Sequence, residues 1–427
     1  MIAAPEQPVR ELVEHLFRHE AGALLAWLCR IFGLKQIDLA EEVVQDTMLQ
    51  ALRQWSFAGV PAEPAAWLRR TARNRAIDIL RRQSAFHKRE PVLAEMFEAR
   101  QEAAGAATLD DPIGDEQLAM MFASCHPAIP ADARVALTLK TVSGFSVVEI
   151  ARAFLMPQAT IAQRLVRAKR LLVESGIELV VPPAAELAQR LDSVLQVIYL
   201  VFNEGYTAHH GEDLVRQDLC CEAVRLAQQL ARDPASSRPK IHALLALMLL
   251  QGSRLPARVD SRGDLLLLPE QDRALWDAGL IAQGMQHLEQ SSIGHELTSY
   301  HVQAAIAAVH AASPRPEDTD WRYLVDLYDQ LDSMEPSPIV RLNRAVALGM
   351  ASGPDAGLSA LTAIENERSL AGYYLLPAVR ADMLLRLGRL DEAAADYRRA
   401  LTLPCSEPER RFLARRLEAC GVPSATT

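Results

Sequence analysis

Apolar residues recur at spacings of three and four along nearly the whole chain, which predicts amphipathic helices rather than strands. Val9–Arg82 reads as four helices, interrupted by the turn cluster Ser56–Pro64 (SFAGVPAEP). Gln117–Glu174 reads as a second compact helical block. Val180–Pro183 (VVPP) marks the next boundary, and helical periodicity resumes at Ala184. One stretch departs from it: Pro256–Leu268 (PARVDSRGDLLLL) sets β-branched and Leu runs around a Ser-Arg-Gly-Asp turn, which predicts a small hairpin or extended loop. The longest strongly apolar run, Ile241–Leu250, has about half the roughly 20 residues a membrane span needs. The fold class is therefore all-α.

Near the C-terminus the helical pattern repeats. Ala381–Pro404 places Ala381, Leu384, Gly388, Ala393, Tyr397 and Ala400 where a 34-residue tetratricopeptide unit puts its small and aromatic packing residues. Pro338–Leu370 carries a weaker copy in Ala345, Leu348, Ala356 and Leu361. A short helical solenoid is the expectation for the last hundred residues or so.

Composition narrows the class. Of 427 residues, 50% are hydrophobic and 23% charged, which excludes disorder along the whole chain. The length suggests about three units. No basic segment leads into an apolar core at the start, so no secretory leader is expected. Cys29, Cys125, Cys220, Cys221, Cys405 and Cys420 include no C-x-x-C pair and read as reduced cytosolic thiols; the expected location is the cytoplasm, with no membrane association. Net charge is −9, and Met1–Pro183 is nearly balanced while Ala184–Thr427 carries almost all the acid excess. Such a chain does not bind nucleic acid by its overall field, so any contact comes from local basic stripes. Glu90–Glu116 holds eight acids, one arginine and the run Ala103–Ala107, and reads as a linker, partly helical and then flexible.

Two stripes stand out. As a helix, Pro64–Arg82 (PAAWLRRTARNRAIDILRR) lines up Leu68, Ala72, Ala76, Ile79 and Leu80 on one face. Trp67, Arg70, Asn74, Asp78 and Arg81 take the opposite face, followed by Arg82. Six arginines against one aspartate, with a ring to stack on and an amide to pair with, suit unstacked single-stranded bases. A plain solvated arginine-rich face fits the same pattern.

Ser146–Leu172 parses as helix (Val147–Phe154), tight turn (Leu155–Gln158) and helix (Ala159–Leu172). Ser146 and Glu149 are spaced as a capping box, and Ala151 is small where the helices cross. Ile161, Leu165, Ala168 and Leu172 face inward; Thr160, Gln163, Arg164, Arg167 and Arg170 face outward, with no acid from Gln158 to Val173. In a helix-turn-helix the second helix enters the major groove, where Arg pairs with guanine and Gln with adenine. An ordinary helical hairpin is the alternative.

Together, Ala40–Leu52 (AEEVVQDTMLQAL), the Trp67–Arg82 helix and the Ser146–Leu172 unit resemble regions 2 and 4 of bacterial RNA polymerase sigma factors. With no room for a third sigma domain, the layout is similar to the extracytoplasmic-function group. Leu155 departs from the Gly that many members carry in the helix-helix turn. The resemblance implies that Glu42, Gln45, Asp46 and Leu49 contact core polymerase. It implies that Trp67, Arg70, Asn74, Asp78, Arg81 and Arg82 meet the −10 element, and that Thr160, Gln163, Arg164, Arg167 and Arg170 read the −35 element. The expected partners are RNA polymerase core enzyme, promoter DNA and a protein regulator, with polymerase fixing the spacing of two tethered modules. The implied organisation is region 2 at 1–83, linker at 84–116, region 4 at 117–177, a helical extension at 178–320 and tetratricopeptide-like repeats at 321–427.

Ile198–His210 (IYLVFNEGYTAHH) and Arg254–Trp276 (RLPARVDSRGDLLLLPEQDRALW) resemble the helical extension of one sigma subgroup, thought there to regulate the factor itself. Glu204, His209, His210 and Asp213 are candidate metal ligands only by residue type; their spacing fits a polar loop better. Arg258, Asp260, Asp272 and Arg273 are expected to form buried ion pairs, and Cys125 to be a packed thiol beside a helix end. No phosphate loop or nucleophile motif is present, so no catalytic residue, metal or cofactor is expected and the chain is not expected to be an enzyme. The competing reading is a tetratricopeptide-type adaptor with a purely structural helix-turn-helix.

Overall fold

The computed structural model describes residues 20–85, 115–154, 156–182, 184–206, 217–234, 236–260 and 264–421. They are all-α, and the chain divides into two compact units, Met1–Leu200 and Val201–Thr427.

The first unit begins with helix α1 (20–32), then α2 (Ile37–Ala58) and α3 (Pro64–Ala85). Ser56–Ala58, expected in the turn, belong to α2; the helix stops at Gly59, whose φ of 79° lies where only glycine sits without strain. Ala51, Trp55 and Leu68 pack α2 against α3. The residues before 20 and the linker stretch 86–114 lie outside the described residues. Asp115 and Glu116, expected to close the linker, open α4 (Asp115–Ser124) instead; carboxylates are favourable in a helix's first turn. The helices α5 (Ala131–Thr141), α6 (Val147–Ala153) and α7 (Gln158–Glu174) complete a second bundle, with Phe122, Leu137, Leu139 and Phe145 fully enclosed. Cys125 follows the end of α4, packed without exposure, with its Sγ 3.3 Å from the Thr138 hydroxyl; burial pushes its thiol up to about 11.

The two bundles, expected to be joined by a flexible tether, are docked on each other. A Cβ on Gly22 of α1 would fall 2.0 Å from the Val142 carbonyl oxygen, so only glycine permits this approach. Arg30 pairs with Glu116 at 2.8 Å, and Lys169 of α7 reaches Glu41 and Asp38 of α2 at 2.6 and 3.0 Å.

Helix α8 (Ala184–Tyr206) carries the division between the units. In the second unit, α9 (Gln217–Arg232), α11 (Ala278–Ser291) and α12 (Ser299–Ala312) surround α10 (Pro239–Gly252). Ile241 and Ala243–Leu250 are all buried, as expected of a helix apolar on every side. Four pairs follow: α13 (Trp321–Met334) on α14 (Pro338–Ala351), α14 on α15 (Pro354–Thr362), α16 (Leu375–Arg386) on α17 (Leu390–Leu401), and α17 on α18 (Glu407–Glu418). Of the repeat positions, Ala381, Leu384, Ala393, Tyr397 and Ala400 share one core cluster, and Ala345 and Leu361 another.

In the stretch expected to form a hairpin or extended loop, the described residues show one antiparallel bridge, Val259 to Leu265, tied to α18 by Arg411–Asp264 at 2.5 Å. Arg258, Asp260, Asp272 and Arg273 do not pair among themselves. Asp260 lies 3.9 Å from Arg415 and Asp272 caps Ala274, while both arginines turn to backbone carbonyls. Helix ends present unpartnered carbonyls there, which compete successfully for guanidinium donors. Among the described residues no helix is long and apolar enough to cross a membrane.

Candidate nucleic-acid interface

The α6–α7 unit is built as its sequence dictates. The Ser146 amide donates to Glu149 Oε2 at 2.8 Å, and the Glu149 amide donates to Ser146 Oγ at 3.1 Å, closing the capping box. Helix α6 ends at Ala153, one residue short of expectation, and the turn is closed by the Met156 amide donating to the Ala151 carbonyl at 2.9 Å. Leu155 lies outside the described residues. Pro157 caps α7, which runs one residue earlier and two later than expected, since its fixed φ suits a helix start.

Ile161, Leu165, Ala168 and Leu172 are buried, between 0% and 4% exposed. Gln163, Arg167 and Arg170 are exposed, while Thr160 and Arg164 are half-buried. Arg164 Nε lies 3.5 Å from Asp132, and Arg170 Nε lies 3.6 Å from Glu174; the second pair is largely exposed, where such pairs are weak.

Lys169 differs from its neighbours. It turns from the open face toward α2, and its side chain is 16% exposed. Burial alone would lower its pKa; Glu41, by charge and hydrogen bond, and Asp38 outweigh that and raise it.

On α3, Leu68, Ala72, Ala76 and Ile79 form the buried stripe as expected, and Arg70, Asn74 and Asp78 are exposed. The side chains of Leu80, Arg81 and Arg82 lie outside the described residues. Trp67 is a correction. Expected on the outward face, it is half-buried and meets Trp55 edge-on, ring centroids 5.4 Å apart. Its position one step before Leu68 puts it at the stripe's edge, and a large ring there gains more by packing than by full exposure.

On α2, Glu42, Gln45 and Leu49 share an open face; Leu49 is 52% exposed and Leu52, unassigned in the sequence reading, 44%. The two leucines lie one turn apart, and their spacing was available in the sequence. Asp46 is less open: its carboxylate pairs with Arg75 of α3 at 2.5 Å.

Glu204 lies at the end of α8, and His209, His210 and Asp213 lie outside the described residues; among those described no cluster could hold a metal ion.

Comparison with known proteins agrees with this geometry. Residues 16–86 match the model of sigma-70 region 2, and residues 119–172 match sigma-70 region 4. Residues 190–292 match a family of unknown function, DUF6596. An uncharacterised protein of Rhizobium meliloti (strain 1021) is 40% identical over 409 residues, covering 95% of this chain and 94% of its own. No solved structure matches. The capped helix-turn-helix, but for the last two residues of α7, and the arginine-bearing α3 each fall inside a matched sigma region. The chain carries sigma-70 regions 2 and 4 followed by a DUF6596 extension, the layout of an extracytoplasmic-function-type sigma factor, and it acts in promoter recognition and transcription initiation.

Proposed function

We propose a division of labour among named residues. Thr160, Gln163, Arg164, Arg167 and Arg170 read and grip the −35 element from α7. Arg70, Asn74, Asp78, Arg81 and Arg82 meet the −10 element from α3, with Trp67 at the edge of that surface. Glu42, Gln45 and Leu49, joined by Leu52, take core polymerase, and Asp46 supports that face by holding Arg75. The observation that carries this reading is the outer face of α7, where Gln163 and Arg167 are exposed opposite the buried stripe Ile161, Leu165, Ala168 and Leu172.

The docked α2–α7 contact belongs to the same reading. Lys169 sits on the reading helix and pairs with the acids beside the polymerase-binding face. Engagement of a two-part promoter exchanges this contact for polymerase. The C-terminal half regulates the factor in cis, and its helix pairs support a tetratricopeptide-like surface for a protein regulator.

Run-off transcription with core enzyme tests the assignment. Arg167→Ala is expected to weaken promoter use by ~1–3 kcal/mol, the range for one lost base contact, with a larger loss than Arg170→Ala. Unchanged promoter selection in both removes α7 from the reading role.

A further inference from the structure

Among the described residues, three arginines in the second unit make no ion pair, in the half of the chain where acids are in excess. They sit where the end of α8, the turn after α10, the 3-10 turn Arg273–Leu275 and the end of α12 meet. Arg254 donates from Nη2 to the Tyr206 hydroxyl at 2.9 Å. Arg258 lies over the Tyr206 ring, its Cζ 4.1 Å from the centroid, and donates to the Tyr206 carbonyl. Arg273 donates to the His310 carbonyl at 2.8 Å and to that of Ser313. Both Arg273 and Arg254 lie over Trp276, 4.9 and 5.9 Å from its ring centroid.

Helix-end carbonyls account for part of this arrangement, because they attract cations. They leave the rest unexplained. Among the described residues Arg254 Nε, Arg273 Nε, Trp276 Nε1 and His310 Nδ1 are buried with no hydrogen-bond partner. Trp276 and His310 are only 6% and 7% exposed. Among the described residues Arg254, Arg258 and Arg273 make no ion pair; Glu317 and Asp318 act on Arg273 only at longer range. Elsewhere in the same unit Arg341, Arg344, Arg380, Arg411 and Arg416 all hold carboxylates. Desolvated positive charge and unmade hydrogen bonds are both unfavourable, and one anion relieves both. The cluster lies within the two segments of the extension that promoter reading leaves without a task.

We propose that Arg254, Arg258, Arg273 and Trp276 form a binding site for the phosphoryl group of a small phosphorylated molecule. The charge decides the class. Several guanidiniums suit a dianion with three equivalent oxygens better than a monocarboxylate, and the planar fork of arginine matches phosphate oxygens in pairs. The indole Nε1–H adds a neutral donor, and the Tyr206 and Trp276 rings hold the guanidiniums flat.

The test is isothermal titration calorimetry on the full-length chain at matched ionic strength, with inorganic phosphate, a phosphomonoester such as glycerol phosphate, and acetate. Saturable binding of either phosphate, at least tenfold tighter than acetate, is expected, and the tighter of the two shows whether the ligand is free phosphate or an ester. Trp276→Phe keeps the ring and removes the donor, and Arg254→Gln removes a charge; each is expected to weaken binding about tenfold or more. Far-UV circular dichroism confirms the fold, and Arg258→Gln, which can still donate to Tyr206, replaces either variant that fails to fold. No saturable phosphate binding, equal or tighter acetate binding, or wild-type affinity in two folded variants overturns the site.

Discussion

At the scale of single residues, exposure separates side chains that hold the fold from those free to meet DNA. Asn74 is exposed on α3, and Trp67, seven residues earlier, is half-buried against Trp55. Asn74→Ala is therefore expected to leave the urea unfolding midpoint within error while reducing strand opening at the promoter. Trp67→Ala is expected to lower both, with a stability loss of about 1–2 kcal/mol from the broken aromatic pair and lost burial. Unfolding curves read beside base-reactivity footprints of the open complex check this, and equal stability of the two variants would refute the placement of Trp67. The sequence alone showed the buried stripe of α3, because a 3.6-residue period encodes it. It did not show the partner of Trp67, because Trp55 lies on another helix and no local pattern links them.

At the scale of helices, what was legible and what was not divide the same way. The capping box Ser146–Glu149 and the inward set Ile161 to Leu172 are local, and the structure reproduces both. Docking of α7 on α2 is not local: Lys169 and Glu41 are 128 positions apart. Neither residue stood out in the sequence, and packing sets them 2.6 Å from one another. Lys169→Ala leaves Glu41 half-buried without its cation while sparing the exposed arginines of α7. The expected outcome is looser docking of the two modules, seen as faster limited proteolysis between residues 86 and 114. Core polymerase affinity should rise or hold. If proteolysis matches the wild type, the ion pairs do not hold the modules together, and the Gly22–Val142 approach suffices.

At the scale of the whole molecule, two expectations follow from what each unit encloses. In the second unit His301 and His310 are buried and His242 and His287 half-buried, and enclosure disfavours the charged form of each. Burial, then Arg254 and Arg273, pushes His310 down to about 3, and burial lowers His242, His287 and His301 as well. His242 and His287 face each other, Nδ1 to Nδ1, at 3.0 Å, with Ser237 and Gln290 as their other partners. Below about pH 6.5 the unfolded chain takes up protons that the folded chain refuses. Stability is therefore complete above that pH and falls as pH drops, by up to ~1.4 kcal/mol per unit for enclosed His310. Urea midpoints at about pH 7.5 and about pH 5.5 should differ accordingly, and His310→Gln should flatten the slope; a pH-independent midpoint would contradict it. The second expectation concerns where the promoter-reading half ends. The Val180–Pro183 break looked like the boundary, yet Arg190 of α8 donates to the Phe122 carbonyl at 2.7 Å, and the first unit continues to Leu200. A chain ending at Val180 leaves that carbonyl without its donor, so it is expected to be less stable than one ending at Leu200. With core polymerase, the proposed roles predict that the Leu200 truncation keeps the promoter preference of the intact chain while changing the amount of transcript. Transcript levels equal to those of the intact chain would mean that the C-terminal half does not regulate initiation in cis.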